Sequence, residues 1–178
     1  MRLLILLLLL LLLPLLFLLP FSDGEDLIEQ TCKLTPFPEL CLSAFHSSPG
    51  SSSTDPHDLP GIMANSVLQN VNQTLDKIQQ LLNRSPADPE TEHFLAFCAE
   101  LYIPVVKYNL PQAIDALSKG GLGFAAYEIN DAVNAARDCE KKLSVASGSL
   151  LQVSDGNKLV TNLGAVALAI IKLLLNDF

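Results

Sequence analysis

The chain has 178 residues, a length that suits one domain, and sets 11 Lys and Arg against 19 Asp and Glu for a net charge of −8. So acidic a chain lacks the clustered Lys and Arg that release counterions from a phosphate backbone, which argues against nucleic acid as a partner. The 49% hydrophobic fraction is inflated by the first twenty positions, of which 14 are Leu.

Met1 and Arg2 supply a short positive region, Leu3 to Leu13 an apolar one, and Ser22-Asp23-Gly24 a small-x-small site. Together they read as a secretory signal peptide over residues 1–24, cut after Gly24, with one domain over residues 25–178. A signal anchor is the rival reading, because Leu3 to Leu19 is nearly long enough to span a bilayer. Pro14 and Pro20 argue against it, so no membrane association is expected once the leader is removed. Its loss takes one base, Arg2, and one acid, Asp23, and the charge of −8 persists.

Secretion decides how the four cysteines are read. The export route is oxidising, and an even count favours two disulfides over metal ligation. Cys32, Cys41, Cys98 and Cys139 show no CxxC spacing and permit three pairings. Sequential pairing is the simplest, and on the loop-entropy model its bridges contribute roughly 3 and roughly 4 kcal/mol.

In chain order, Asp26 to Lys33 and Glu39 to Ser47 are short helical pieces separated by Thr35-Pro36-Phe37-Pro38, too brief to hold in water alone. A Cys32 to Cys41 bridge would staple them into a hairpin spanning 25–47. Ser47 to Pro60, rich in Ser and Pro, reads as a surface loop. The segment from Ile62 to Leu82 places Ala64, Leu68, Val71, Leu75, Ile78 and Leu82 at alternating steps of four and three, a helical seam, with His57 or Asp58 before it and Pro60 in its first turn. A second helix opens near Pro89 with Phe94, Phe97, Leu101, Val105 and Tyr108 on one stripe and a kink expected at Pro104. Asn109-Leu110-Pro111 reads as a joint, followed by a short helix with Ile114, Ala116 and Leu117 inside, stopped at Gly120-Gly121. From Phe124 to Lys142 the stripe is Ile129, Val133 and Ala136, flanked by alanines. Ser154-Asp155-Gly156 introduces the last helix, with Leu159, Leu163, Val166, Ile170 and Leu174 in its seam. No window alternates polar and apolar residues between hairpin turns, so the expected fold is all-α: an antiparallel, up-and-down four-helix bundle over residues 58–178, preceded by the helical hairpin.

Catalytic chemistry is hard to find. His46, His57 and His93 form no helical metal pair, no GxSxG elbow is present, and the glycines of Lys119 to Phe124 lack the GxxxxGK pattern and a preceding strand. Carboxylate pairs such as Glu90 with Glu92, or Glu128 with Asp131, read as solvated helix faces. Asn72-Gln73-Thr74 and Asn83-Arg84-Ser85 are acceptor sequons for N-glycosylation, the second weakened by Pro86. No cofactor and no metal are expected, and a stapled bundle without such ligands works by contact.

The run Leu27-Ile28-Glu29-Gln30-Thr31-Cys32-Lys33-Leu34-Thr35-Pro36, followed by Cys41, resembles the N-terminal hairpin of the plant invertase and pectin methylesterase inhibitor family. Cys98 with Tyr102, then Ala113 and Leu117, then Ala132, Ala135 and Cys139-Glu140 continue the resemblance in the family's order. It implies sequential disulfides, Cys32 with Cys41 and Cys98 with Cys139, and a non-enzymatic protein that blocks a secreted enzyme.

Asn109 to Gly120 looks more like the invertase (β-fructosidase) inhibitors than the pectin methylesterase inhibitors. In that branch a Pro-Lys-Phe triplet enters the invertase cleft, and the matching positions here hold Leu122, Gly123 and Phe124. Only the Phe survives. Gly123 offers no cation to the carboxylates of a glycosidase, and Leu122 lacks the fixed φ of Pro, so contact through this triplet is expected to weaken. Lys119 is the nearby candidate for a substitute cation. The resemblance thus implies a cell-wall or vacuolar invertase as partner, with pectin methylesterase as the alternative target and a non-inhibitory binding bundle as the third. The implied location is the cell-wall space (apoplast) or the vacuole.

Overall fold

A computed structural model describes residues 23–49, 55–84, 88–143 and 150–176 of the chain, and all of its regular structure is helical. Proline and short polar side chains set the boundaries. Pro38 opens α2 (Pro38–His46) after α1 (Asp23–Lys33), and the Cys32–Cys41 bridge closes the hairpin between them over a separation of 9 residues. The Thr35 hydroxyl donates to the Cys32 carbonyl at 2.8 Å, satisfying a group that α1 leaves open at its end. Asp55 accepts from the His57 amide and caps a 3-10 turn, Pro56–Asp58, which runs directly into α3 (Leu59–Asn83). Asp88 caps α4 (Pro89–Pro104) by accepting the amide and hydroxyl of Thr91, and these bonds hold its carboxyl below the usual carboxylate range.

A π-helical turn, Val105–Asn109, follows α4 and passes into α5 (Leu110–Ser118) without a break. α6 (Leu122–Leu143) and α7 (Leu151–Asn176) complete the fold. Where helices face each other, one residue number rises as the other falls. Val133 lies against Gly164 and Glu140 bonds Asn157 between α6 and α7. Cys98 bonds Cys139 while Asn109 bonds Glu128 along the α4–α5 rod and α6. All neighbours are therefore antiparallel. The rod, α6, α7 and α3 form the four sides of the expected bundle, each packed on the next, and α2 carries the hairpin against α3 and α7. Both sequential disulfides are present and use all four cysteines.

Several boundaries and faces differ from expectation. The leader lies outside the described residues except for Asp23 and Gly24, which fall in the first turn of α1. The part of the Ser47 to Pro60 loop numbered 50–54 lies outside them too, but its end is helical, with Asp55 rather than His57 or Asp58 supplying the cap. α7 begins at Leu151, so Ser154-Asp155-Gly156 lies inside it. Its seam runs through Val153, Asn157, Val160 and Leu163, leaving Leu159 at the surface, because a polar residue occupies a core position. Along α4 and into the turn that follows it, the buried side runs through Phe94, Cys98, Tyr102 and Val105, so Phe97 and Leu101 of the expected stripe are only half-buried and Tyr108 is exposed. The π turn adds a residue, so Val105 is followed on the buried side by Leu110 and Ala113.

Asn157 earns its buried position through hydrogen bonds. It accepts from the Tyr102 hydroxyl at 2.7 Å and donates to Glu140 at 3.0 Å and to the Cys139 sulfur at 3.2 Å. Ser154 donates to the second Glu140 oxygen at 2.6 Å. Burial, reinforced by the Glu140 carboxylate, pushes the Tyr102 hydroxyl far above its ordinary pKa, so it stays a donor. An Asn157→Ala variant is expected to lose about 1–3 kcal/mol by leaving that hydroxyl unpaired, measured by urea denaturation against wild type.

Two glycines let α7 approach both of its neighbours. A Cβ on Gly156 would fall 2.5 Å from the Thr74 hydroxyl oxygen of α3, and one on Gly164 would overlap Val133 of α6. Gly164→Ala is expected to destabilise the fold by about 1–3 kcal/mol through overpacking, and adding Val133→Ala should recover part of that loss in thermal denaturation.

Candidate functional site

The residues singled out from the sequence meet at one end of the bundle, where α5 hands over to α6. The handover is a Schellman motif. Gly121 donates to the Ala116 carbonyl at 2.8 Å and Gly120 to the Leu117 carbonyl at 3.1 Å, with Gly120 in the left-handed region at φ +76. The Gly121 carbonyl then accepts from the Ala125 amide, so α6 starts one residue after α5 has been capped.

Leu122, Gly123 and Phe124 are the first three residues of α6. Leu122 is half-buried, Gly123 is exposed with open space where a Cβ would stand, and Phe124 is 51% exposed. Phe124 is therefore not a core residue at a helix start. Lys119 sits just before the turn and pairs with Asp115 one turn back, at 2.7 Å, both side chains well exposed. A cleft of about 540 Å³ opens beside this tip, lined by Leu122, Gly120, Leu117 and Ile114 on one side and His57, Asp58 and Gly61 at the head of α3 on the other.

Behind the tip, α6 is tied to the π turn. The Asn109 amide donates to Glu128 at 2.7 Å and reaches Asp131 at 3.5 Å, which gives the buried Glu128 carboxylate a partner. Glu128 and Asp131, read from the sequence as solvated, thus hold two elements together. Asn109 carried no signal of this role, since it read as part of a joint. Tyr108 and Tyr127, the residues immediately before Asn109 and Glu128, are 59% and 63% exposed.

The remaining candidates stand apart from the tip. Asn83 is exposed at the far end of α3, whereas Asn72 is half-buried and donates to the Leu68 carbonyl at 3.0 Å within the same helix. The Thr74 of that sequon is buried under Gly156. His46, His57 and His93 are exposed on three separate elements. Among the described residues, no group of three His, Cys, Asp or Glu side chains is placed to hold a metal ion. The arrangement offers contact surfaces: a firm tip, one exposed aromatic ring at it and a cleft next to it.

Comparison with known proteins bears on what such a tip meets. The family model described as plant invertase/pectin methylesterase inhibitor matches residues 26–170. The cell wall/vacuolar inhibitor of fructosidase 1 of Arabidopsis thaliana is 34% identical over 119 residues, a match spanning 67% of this chain and 56% of that relative. A putative invertase inhibitor of Platanus acerifolia is 27% identical over 90% of this chain and 92% of its own length. In fold, the chain is similar to a mutant form of a pectin methylesterase inhibitor from Arabidopsis, with a TM-score of 0.69 and 22% identity over 79% of this chain and 92% of that one.

The turn itself is testable. A Cβ at Gly120 meets no neighbour, so Gly120→Ala is expected to cost about 1 kcal/mol from backbone conformation alone, with Gly120→Asn costing less, as read from thermal melts.

Proposed function

Because the chain belongs to the plant invertase/pectin methylesterase inhibitor family, we propose that it is a secreted, non-enzymatic inhibitor that occupies the active-site cleft of a plant acid invertase. The observation that carries this reading is the tip. Phe124, which the resemblance matches to the family's cleft-inserting Phe, stands out from the first turn of α6 rather than packing inward. The likeness to invertase inhibitors supports invertase over other targets. In this reading Leu122 braces the tip against the cleft wall, Phe124 enters the partner, and Lys119 supplies the nearest cation once it releases Asp115. An exposed pair of this kind is worth little to the free protein, so exchanging it for a partner's carboxylate is easy.

The likeness in fold to a pectin methylesterase inhibitor keeps that esterase as the second target. The apolar leader and the names of the relatives support secretion to the cell-wall space or the vacuole. N-glycosylation at Asn72 or Asn83 belongs to the same reading, with Asn83 the more accessible of the two.

Titration of the purified domain against a plant acid invertase and a plant pectin methylesterase at mildly acidic pH tests the choice. Inhibition of the invertase is expected, and inhibition of the esterase alone would reverse the assignment. Gly123→Lys sharpens the test. The position has room for a side chain, so the substitution leaves the fold intact and restores a cation at the tip. Invertase inhibition should tighten by about tenfold, the scale of one charge-assisted hydrogen bond, and an unchanged inhibition constant would remove the triplet from the contact.

A further inference from the structure

We propose that the target-binding site extends beyond the tip along the outer face shared by the π turn and α6, where Tyr108, Tyr127 and Phe124 form one aromatic patch that seats on the mouth of a cleft made for uncharged sugars. The proposal rests on the inhibitor reading above and specifies the partner for the same end of the molecule.

The geometry starts from the Asn109 to Glu128 hydrogen bond, which fixes the facing sides of two antiparallel elements. In an antiparallel pair, the residues immediately preceding two facing residues project to the same side. Tyr108 and Tyr127 therefore share a face. Phe124 lies three residues before Tyr127 on α6, the spacing of side-chain neighbours on a helix. All three rings are more than half exposed, at 59%, 63% and 51%. Tyr108 lies off the buried side that Tyr102, Val105 and Leu110 mark across the π turn. Between them, three such side chains offer a large part of the uncharged centre that a standard-sized interface needs.

Charge selects the occupant. On this face Asp131 takes the Asn109 amide, and Glu128 is buried with the same partner. The face thus presents rings and hydroxyls, with its carboxylates engaged internally. A groove that holds a partly de-esterified polyuronate chain meets carboxylates along its length, and a face matched to the cations that answer them would carry uncompensated acid. A cleft for uncharged sugars is instead lined for amphipathic rings, apolar on the face and polar at the edge, and tyrosine has that character. The patch fits an invertase-type glycosidase better than a pectinesterase.

Tyr108→Ala, Tyr127→Ala and the double variant, titrated against plant acid invertase and pectin methylesterase beside wild type, test the patch. Leu34→Ala serves as the control, since Leu34 is also exposed, at 67%, but stands on a different element, the hairpin turn. Each single variant is expected to weaken invertase inhibition by roughly tenfold with no change in melting temperature, Leu34→Ala by nothing, and Tyr127→Phe by much less than Tyr127→Ala. Undiminished invertase inhibition by the double variant would overturn the patch while leaving the inhibitor reading in place. An equal loss from Leu34→Ala would overturn it as well. Tyrosine variants that weaken only esterase inhibition would overturn the uncharged-sugar assignment. A wild-type protein that inhibits neither enzyme would overturn the inhibitor reading, and the patch with it.

Discussion

Three helices meet at the Cys98–Cys139 bridge, and beside it the Tyr102 hydroxyl, the Asn157 amide and the Glu140 carboxylate pair with one another in the interior. Each partner comes from a different helix: α4, α6 and α7. Sliding any of them by one turn would break the network and strand polar groups away from water, a loss of several times the net worth of one hydrogen bond. The covalent bond fixes α4 to α6, and the polar network fixes α7 to both. Apolar stripes alone would tolerate a change of register, since one Leu or Ala replaces another at little loss. The polar cluster supplies the uniqueness that the alanine-rich faces of α6 leave open.

The same register reaches the tip through the α4–α5 rod, where two prolines create a local problem. In an unbroken α-helix, the ring of Pro111 would press on the carbonyl of Lys107. Widening the helix over Val105–Asn109, with the Leu110 amide donating to Val105 five residues back, opens the space. The rod stays continuous, and the extra residue changes which side chains face inward after it. Asn109 turns toward Glu128 and Tyr108 toward solvent. A device that solves a proline clash therefore also decides the chemistry of the outer face.

This explains how far the sequence could be read. Helix number, the hairpin and the stop at Gly120 were legible because they rest on periodicity and on residues with a single backbone meaning. The stripe of α4 is placed about one residue off: Phe94 and Val105 are buried, but Phe97 and Leu101 are half-buried and Tyr108 is exposed, because a bridged cysteine, Cys98, and a hydrogen-bonded tyrosine, Tyr102, fill core positions that a count of the most apolar residues passes over. The start of α7 was misplaced for a different reason. Ser154, Asp155 and Gly156 have the composition of a helix entrance, but Gly156 is small so that α7 can approach Thr74, and Ser154 is polar so that it can reach Glu140. Local composition does not distinguish a cap from a tertiary contact. Asn157 was passed over because a buried amide gives no hydrophobic signal, although its partner Tyr102 was marked by the family resemblance.

The tip also changes the reasoning about Leu122. As part of a flexible loop, a residue without proline's fixed φ would have to be ordered on binding, at a loss of backbone entropy. In the folded chain Leu122 is already the first residue of a 22-residue helix, and Gly120 and Gly121 before it are held by the Schellman bonds. Its side chain is half-buried against the cleft wall with Ile114 and Leu117. The ordering that proline would provide has been supplied by helix and cap instead. On the proposal that Leu122-Gly123-Phe124 stands in for a Pro-Lys-Phe triplet, what it gives up is mainly one positive charge, and the loss falls on electrostatics at the tip rather than on its rigidity.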